Sequence, residues 1–375
     1  MTALLLFLMQ TNSLLISGLE VIDDRTGILL RATIGIIIVI YYIKNLDIEL
    51  NLIVGSVVLA VFFLFNFNQS CINLIFTLWF IYLLRRQGAV KSIEVVYYST
   101  LMFSLLFTGL VIKGIIHPDI DYIPETGRYR NNMGFWSANY PGMIAYSCFM
   151  TLFTCKGYLS GRIPTVIRWF TNILLAFFIC VPFLADSRTP GYAMIVSLIF
   201  YVVISAGLFR YLVVFYLPLV PVTLLAISLF LPWDYHGGRL DYMLSGRLSY
   251  FYDYLSSLEP YNYVFGSALP DYALDNSYLI LMSALGLFFI IPFTWMLYQA
   301  VLNNPNKYFI VLVFSLICYG FTEAIMARAE TSVVIIFYLL MFIKTNGIEF
   351  DKAGKLRKHI DQFYRKRYFY TQMNR

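Results

Sequence analysis

The sequence predicts an all-α polytopic membrane protein of about twelve transmembrane helices with two long external loops. Three observations predict it. The 375-residue chain is 60% hydrophobic and only 13% charged, too apolar to fold its side chains into one soluble core. Apolar stretches near the roughly 20 residues that a bilayer requires recur along it. Lysine and arginine crowd alternate connections, which gives the spans an orientation.

The expected spans cover residues 3–18, 27–43, 50–66, 70–84, 95–116, 140–156, 167–184, 190–208, 211–231, 276–301, 307–326 and 329–343. The first has no basic n-region and no small-residue cleavage site, so it reads as an uncleaved span. One set of connections carries Lys44, Arg85, Arg86, Lys91, Lys156, Arg162, Arg168, Arg210, Lys307 and nine basic residues from Lys344 to Arg375, together 18 of the 27 Lys and Arg. That set marks the cytoplasmic face, and both termini are expected there. Residues 1–343 then form one transmembrane domain, and 344–375 a basic tail whose charges and aromatics suit anionic headgroups. The net charge of +6 is mostly this bias, so nucleic acid is not an expected partner.

Most connections are short, which suits neighbouring helices. The two exceptions lie on the opposite face. Residues 117–139 are rich in turn formers, and residues 232–275 contain LSYFYDYLSSL, where Leu248, Phe251, Tyr252, Leu255 and Leu258 recur at helical spacing opposite Asp253, Ser256 and Ser257. That spacing predicts a helix lying in the interface. Long loops gathered on one face are where function is expected. The loops are also rich in Tyr, with Trp136 and Trp233, which fits either sugar stacking or an interfacial aromatic belt. No Walker-type loop, GxGxxG or HExxH is present, and the five cysteines lie in or beside spans without metal spacing. Neither a cofactor nor a metal is therefore expected, and the cysteines read as packing residues.

The external face carries the other nine basic residues: Arg25, Arg31, Lys113, Arg128, Arg130, Arg188, Arg239, Arg247 and Arg328. Eight of the nine are arginine, whereas the cytoplasmic set divides equally. A planar guanidinium grips two phosphate oxygens where an ammonium acts as a point charge, so this bias points to an anionic, membrane-embedded ligand such as a lipid diphosphate. Arg25, Arg31 and Arg328 read as structural. Arg130, Arg188 and Arg247 each sit in a distinctive pattern.

Residues 130–139, Arg-Asn-Asn-Met-Gly-Phe-Trp-Ser-Ala-Asn, resemble the R-x3-GF-x2-PN segment of O-antigen and capsular polysaccharide polymerases of the Wzy family, with Ala138 in place of the usual proline and Asn139 closing the motif. Asp-Ser-Arg-Thr-Pro at 186–190 resembles the SR-T/G step that opens a later span in those enzymes and in O-antigen ligases. Ser-Gly-Arg at 245–247, Phe265-Gly266, Asp275-Asn276-Ser277-Tyr278-Leu279 and Gly286 follow that superfamily's order SGR, FG, D/H-N-x-Y-L, G. The resemblance covers roughly residues 120–290; the first five spans match only in hydropathy.

The resemblance implies a GT-C-like helical fold in a bacterial inner or plasma membrane, with the active site facing the periplasm or exterior. It also implies transfer of a glycan from undecaprenyl diphosphate onto a second lipid-linked oligosaccharide, and leaves room for a chain-length regulator protein as a partner. Arg130, Arg188 and Arg247 then bind the diphosphate, supported by Arg128 and Arg239, and stabilise the leaving group. Asp275 is the first candidate for general base, standing where ligases carry His, although it also suits an N-cap. His236 is the second. Glu323 is costly to bury within a span and is either functional or paired with an external arginine such as Arg328. Asn276 either orients substrate oxygens or caps the same helix, and Tyr278 completes the expected substrate-contacting set. Three alternatives stay open: an O-antigen-type ligase, a metal-dependent transferase using Glu20, Asp23 and Asp24, and a lipid-linked oligosaccharide flippase.

Overall fold

The computed structural model describes residues 1–343 except 20–22, 45–48, 114–119, 124–127, 136, 208–209, 245 and 273. The basic tail and Glu20 lie outside the described residues. Helix α1 (Thr2–Ser13) runs into one π-helical turn, and α2 (Asp24–Lys44), α3 (Leu50–Asn66), α4 (Gln69–Arg85) and α5 (Ala89–Lys113) follow. Strands β1 (Ile120–Ile123) and β2 (Arg128–Asn131) then form a small antiparallel hairpin in the first long loop, with Asp121 opposite Arg130 and Ile123 opposite Arg128. The chain continues through α6 (Asn139–Tyr158), α7 (Thr165–Leu184), α8 (Arg188–Ser205), α9 (Arg210–Tyr216) and α10 (Val220–Tyr235). The second long loop holds α11 (Arg239–Met243), α12 (Arg247–Ser256) and α13 (Asn262–Phe265). It leads into α14 (Ser277–Leu285), α15 (Ile290–Asn303), α16 (Lys307–Thr322) and α17 (Ser332–Phe342).

Five of these segments are long and apolar enough to cross a membrane: Arg25–Lys44, Ala89–Ile112, Thr165–Leu184, Arg188–Ser205 and Leu212–Tyr235. A sixth is added if the bent pair Ser277–Leu285 and Leu287–Asn303 counts as one span. Their outer surfaces remain open, with Ile36, Val202 and Phe230 among the exposed apolar side chains. The core lies elsewhere. Helices α6, α16 and α17 are buried on almost every side and pack against one another, as helices apolar all round must.

The helices depart from the expected spans at three places. The ninth is α9, a short 3-10 turn and α10, because Pro218 and Pro221 remove backbone donors at the junction. The tenth is not straight: α14 and the helical run after it meet at 112° across Gly286. The eleventh stops at Thr322, which moves Glu323 out of the helix and into the link before α17.

Gly286 and Gly266 explain the bend. Both have positive φ, +71° and +81°. A Cβ on Gly286 would stand 1.9 Å from the Val264 carbonyl oxygen, and one on Gly266 would stand 2.2 Å from that of Ser283. Only glycine permits α13 and α14 to press backbone to backbone in this way. The α3–α4 turn then clamps the pair: Asn66 Nδ2 donates to Ala284 O at 2.8 Å, and Asn68 Nδ2 donates to Ser283 Oγ at 2.8 Å and Ser267 O at 3.1 Å.

A helix with one buried face forms where the spacing predicts it. Leu248, Phe251 and Leu255 of α12 are buried, joined by Tyr254, while Ser256 and Ser257 face outward.

Candidate functional site

The site grows from Asp241, a residue with no obvious sequence signal. Its carboxylate accepts hydrogen bonds from Leu248 N at 2.8 Å, Gly237 N at 3.0 Å and Ser249 N at 3.3 Å, and from the Ser249 hydroxyl. Two of those donors are first-turn amides of α12, so Asp241 caps that helix from across the loop. Burial works to raise the Asp241 pKa, but the bonds from Ser249, Gly237 and Leu248 outweigh it and hold the carboxyl below its ordinary value. The capped turn presents Arg247, the first residue of α12, to the ends of two other helices.

Arg247 meets three acceptors there. Nη2 donates to Glu323 Oε1 at 3.0 Å and stands 3.3 Å from Asp275 Oδ2, while Nη1 donates to the Thr322 carbonyl at the end of α16. The two carboxylates are brought together by Ser277. Its hydroxyl donates to Glu323 O at 2.6 Å and accepts from Ile325 N at 2.9 Å and Met326 N at 3.1 Å, which ties the start of α14 to the link after α16. Asn276 provides the N-cap of α14, accepting from Tyr278 N and Leu279 N, and its amide donates to Ser228 Oγ on α10 at 2.9 Å. With Asn276 as the cap, Asp275 is left to face Arg247.

The electrostatics of the trio are unequal. Burial pushes the Glu323 carboxyl up to about 7; the Arg247 charge opposes this, and the neighbouring Asp275 charge adds to it. Arg247 loses water as well, yet Glu323 and Asp275 hold its guanidinium firmly protonated. A carboxyl that exchanges its proton near neutrality beside a fixed cation can accept a proton and steady developing negative charge. One turn before Glu323, Tyr319 is buried against the Tyr146 ring at 4.0 Å, and its hydroxyl has no hydrogen-bond partner among the described residues.

The other expected site residues stand as follows. Arg188 is more than half exposed and pairs with its own neighbour, Nε to Asp186 Oδ1 at 2.8 Å, made possible by a positive φ of 51° at Asp186. The next residue, Ser187, donates to Asn139 Oδ1 at 3.3 Å, so the first two motif segments do meet, at the starts of α6 and α8. Arg239 is exposed and has no partner among the described residues. His236 is exposed too, its ring stacked on Tyr252 at 3.8 Å and its Nδ1 2.8 Å from Pro232 O. Tyr278 is wholly buried and donates to Ile317 O at 3.0 Å. Arg128 and Arg130 stand in β2, and their side chains lie outside the described residues. The contacts thus gather Arg247, Asp275 and Glu323 into one cluster, to which Arg188, Arg239 and His236 make no contact.

Glu323 pairs with Arg247, whereas Arg328 donates through Nε to Ala324 O at 2.6 Å. Among the described residues no three His, Cys, Asp or Glu side chains converge as metal ligands do. Comparison of the chain with protein-family models, with curated proteins and with solved structures gives no match.

Proposed function

We propose that this protein is a polysaccharide polymerase of the outer face of a bacterial cytoplasmic membrane. It transfers a growing glycan from undecaprenyl diphosphate onto a lipid-linked oligosaccharide repeat unit. The observation that carries the reading is the Arg247 fork held between Asp275 and Glu323, inside the loop whose motif order resembles that of Wzy-type polymerases. The pattern glycines Gly266 and Gly286 support it, since both are required by backbone contacts that shape the same loop.

The proposal includes twelve passes with both ends cytoplasmic. The five long helices and the bent pair, with five shorter apolar helices and the 20-residue α6, supply that number. On this topology α10 and α16 end, and α17 begins, at the outer face, which places the Arg247 cluster there.

In the reaction the diphosphate oxygens enter at the guanidinium fork and displace one carboxylate from it. The acceptor hydroxyl attacks the anomeric carbon; a new C–O bond forms, and the bond from that carbon to the diphosphate oxygen breaks. Negative charge grows on the departing diphosphate, and Arg247, already fixed in place, stabilises it. The hydroxyl proton passes to a carboxylate of the pair. Asp275 is the base that the motif implies, but burial tunes Glu323 to about 7, the better match to a general base at neutral pH, with Asp275 holding Arg247 in reach.

Purified protein incubated with a lipid-linked repeat unit, without nucleotide, tests the reading. A ladder of longer lipid-linked glycans supports it; glycan moved to a different acceptor at unchanged length indicates a ligase. A transporter of the same lipid is favoured by one feature, the broken α14–α15 pair, because discontinuous helices line transport sites. In that case the lipid crosses a proteoliposome bilayer with its glycan unaltered.

A further inference from the structure

A cavity of 510 Å³ lies on the far side of α14 from its capped start. Helix α14 contributes Leu281 and Leu285, α3 runs along one wall from Gly55 to Phe62, and α4 along another from Leu74 to Ile81. Seven helical rises from end to end of each wall make it about 10 Å deep. Its lining is almost wholly apolar. Of the two hydroxyls that reach it, Thr77 already donates to Asn73 O at 2.9 Å, and the other belongs to Tyr338 of α17. The volume falls in the range of about 300–1,000 Å³ typical of built ligand sites.

Two of its lining residues are exposed: Val58 of α3, and Phe288 in the 3-10 turn that leads into α15. Beside them, Val54 and Val61 of α3 and Ile291 and Trp295 of α15 are exposed apolar side chains of the outer surface. A cavity that opens through such a surface faces hydrocarbon, not water. It also connects to the charged cluster by one rigid element. Asp275 precedes α14, and Leu281 and Leu285 lie six and ten residues further on, about 9 and 15 Å along a helix axis.

We infer that this cavity holds the hydrocarbon chain of the lipid whose anionic head is gripped at Arg247, so that α14 measures the distance between head and tail. The inference rests on the proposed function for the identity of the head, and on the cavity alone for the tail. A polyisoprenoid diphosphate fits both ends: an anion for the guanidinium, and a branched apolar chain for a slot lined almost wholly by apolar side chains. Helix α14 then acts as a ruler, its capped start fixed to the link after α16 and its far end fixed to the α3–α4 turn.

A polyprenyl diphosphate with a photoreactive diazirine near the head-proximal end of its chain tests this on the full-length protein in nanodiscs. Crosslinks are expected on α3, α14 and α15, and are competed by unlabelled polyprenyl diphosphate but not by phosphatidylglycerol. Val58→Trp fills the mouth and should lower labelling about tenfold, as loss of a few buried methylenes implies. Val57→Trp, on the exposed side of the same helix and outside the cavity, should leave labelling unchanged and controls for folding. Labelling that is spread over the lipid-facing surface, that ordinary phospholipid competes away, or that Val58→Trp leaves intact overturns the inference. The two readings fail separately. Cavity labelling with no glycan transfer sinks the polymerase and keeps the tail site; transfer at wild-type rate by Val58→Trp keeps the polymerase and sinks the tail site.

Discussion

Replacing Arg247 by lysine keeps the positive charge and removes the fork. The guanidinium engages the Thr322 carbonyl, Glu323 Oε1 and Asp275 Oδ2 together, the latter two at 3.0 and 3.3 Å. An ammonium on a shorter reach holds one of these well. Two charge-assisted contacts are then lost, at about 1.5–3 kcal/mol each, and the loss is felt most where diphosphate charge builds up. Spent in the transition state, about 3–6 kcal/mol corresponds to a rate lower by about 10²–10⁴. The assay is elongation of a lipid-linked repeat unit, resolved by gel, with size-exclusion elution to confirm that the variant is folded. Arg247→Lys should give the unreacted unit and traces of dimer. Wild-type chain lengths at wild-type rate would refute a role that depends on the fork.

Three further substitutions test the same geometry. Glu323 titrates near 7 because it is buried, so elongation should fall as pH drops below about 7 and the carboxyl takes up its proton; Glu323→Gln should lower the rate and remove that limb. Its folded pKa lies above the ordinary 4.5, so the stability it contributes is full below 4.5 and is lost as pH rises from there to about 7, and Glu323→Gln should lose less thermal stability than wild type between pH 4.5 and 7. Asp241→Asn removes the charge that caps α12 and should destabilise the loop by about 1–2 kcal/mol; because the Asp241 pKa is held below 3.8, its contribution is full above that value and is lost as pH falls through the folded pKa, which an acid melt of both proteins would read. Gly286→Ala sets a Cβ 1.9 Å from Val264 O at a positive φ and should cost about 2–4 kcal/mol, visible as a lower unfolding midpoint, whereas the same change at the unencumbered helical Gly109 should not.

The long apolar runs were readable because hydropathy over about 20 residues is a bulk property that neighbours do not alter. Hydropathy is blind to where a helix stops within such a run. Thr322 ends α16 because Glu323 turns to Arg247 from another segment, and only the contact reveals it. The tenth span hid its bend for a related reason. A lone glycine in an apolar stretch reads as a tolerated interruption, yet Gly286 is where the Val264 backbone comes through.

The site was legible in part. Sequence singles out Arg247, Asp275 and Glu323, but it offers both Asp275 and Asn276 as the cap of the same helix and does not tell them apart. The extended backbone at Asn276, φ −151° and ψ 113°, assigns it the cap and leaves Asp275 for Arg247. Asp241 carries no local signal, since the amides it caps lie seven and eight residues ahead and the loop must fold before they meet. Arg188 was separated from Asp186 by one residue throughout; their pairing needed only the left-handed turn at Asp186, which sequence does not announce.

The most direct test of the Arg247 cluster as a diphosphate grip is binding of a soluble, short-chain prenyl diphosphate to the purified protein, followed by calorimetry in wild type and Arg247→Lys. The account predicts saturable binding in the wild type that lysine weakens by about tenfold or more, the equivalent of one charge-assisted hydrogen bond. Equal affinity in the two proteins, or no binding in either, would contradict it.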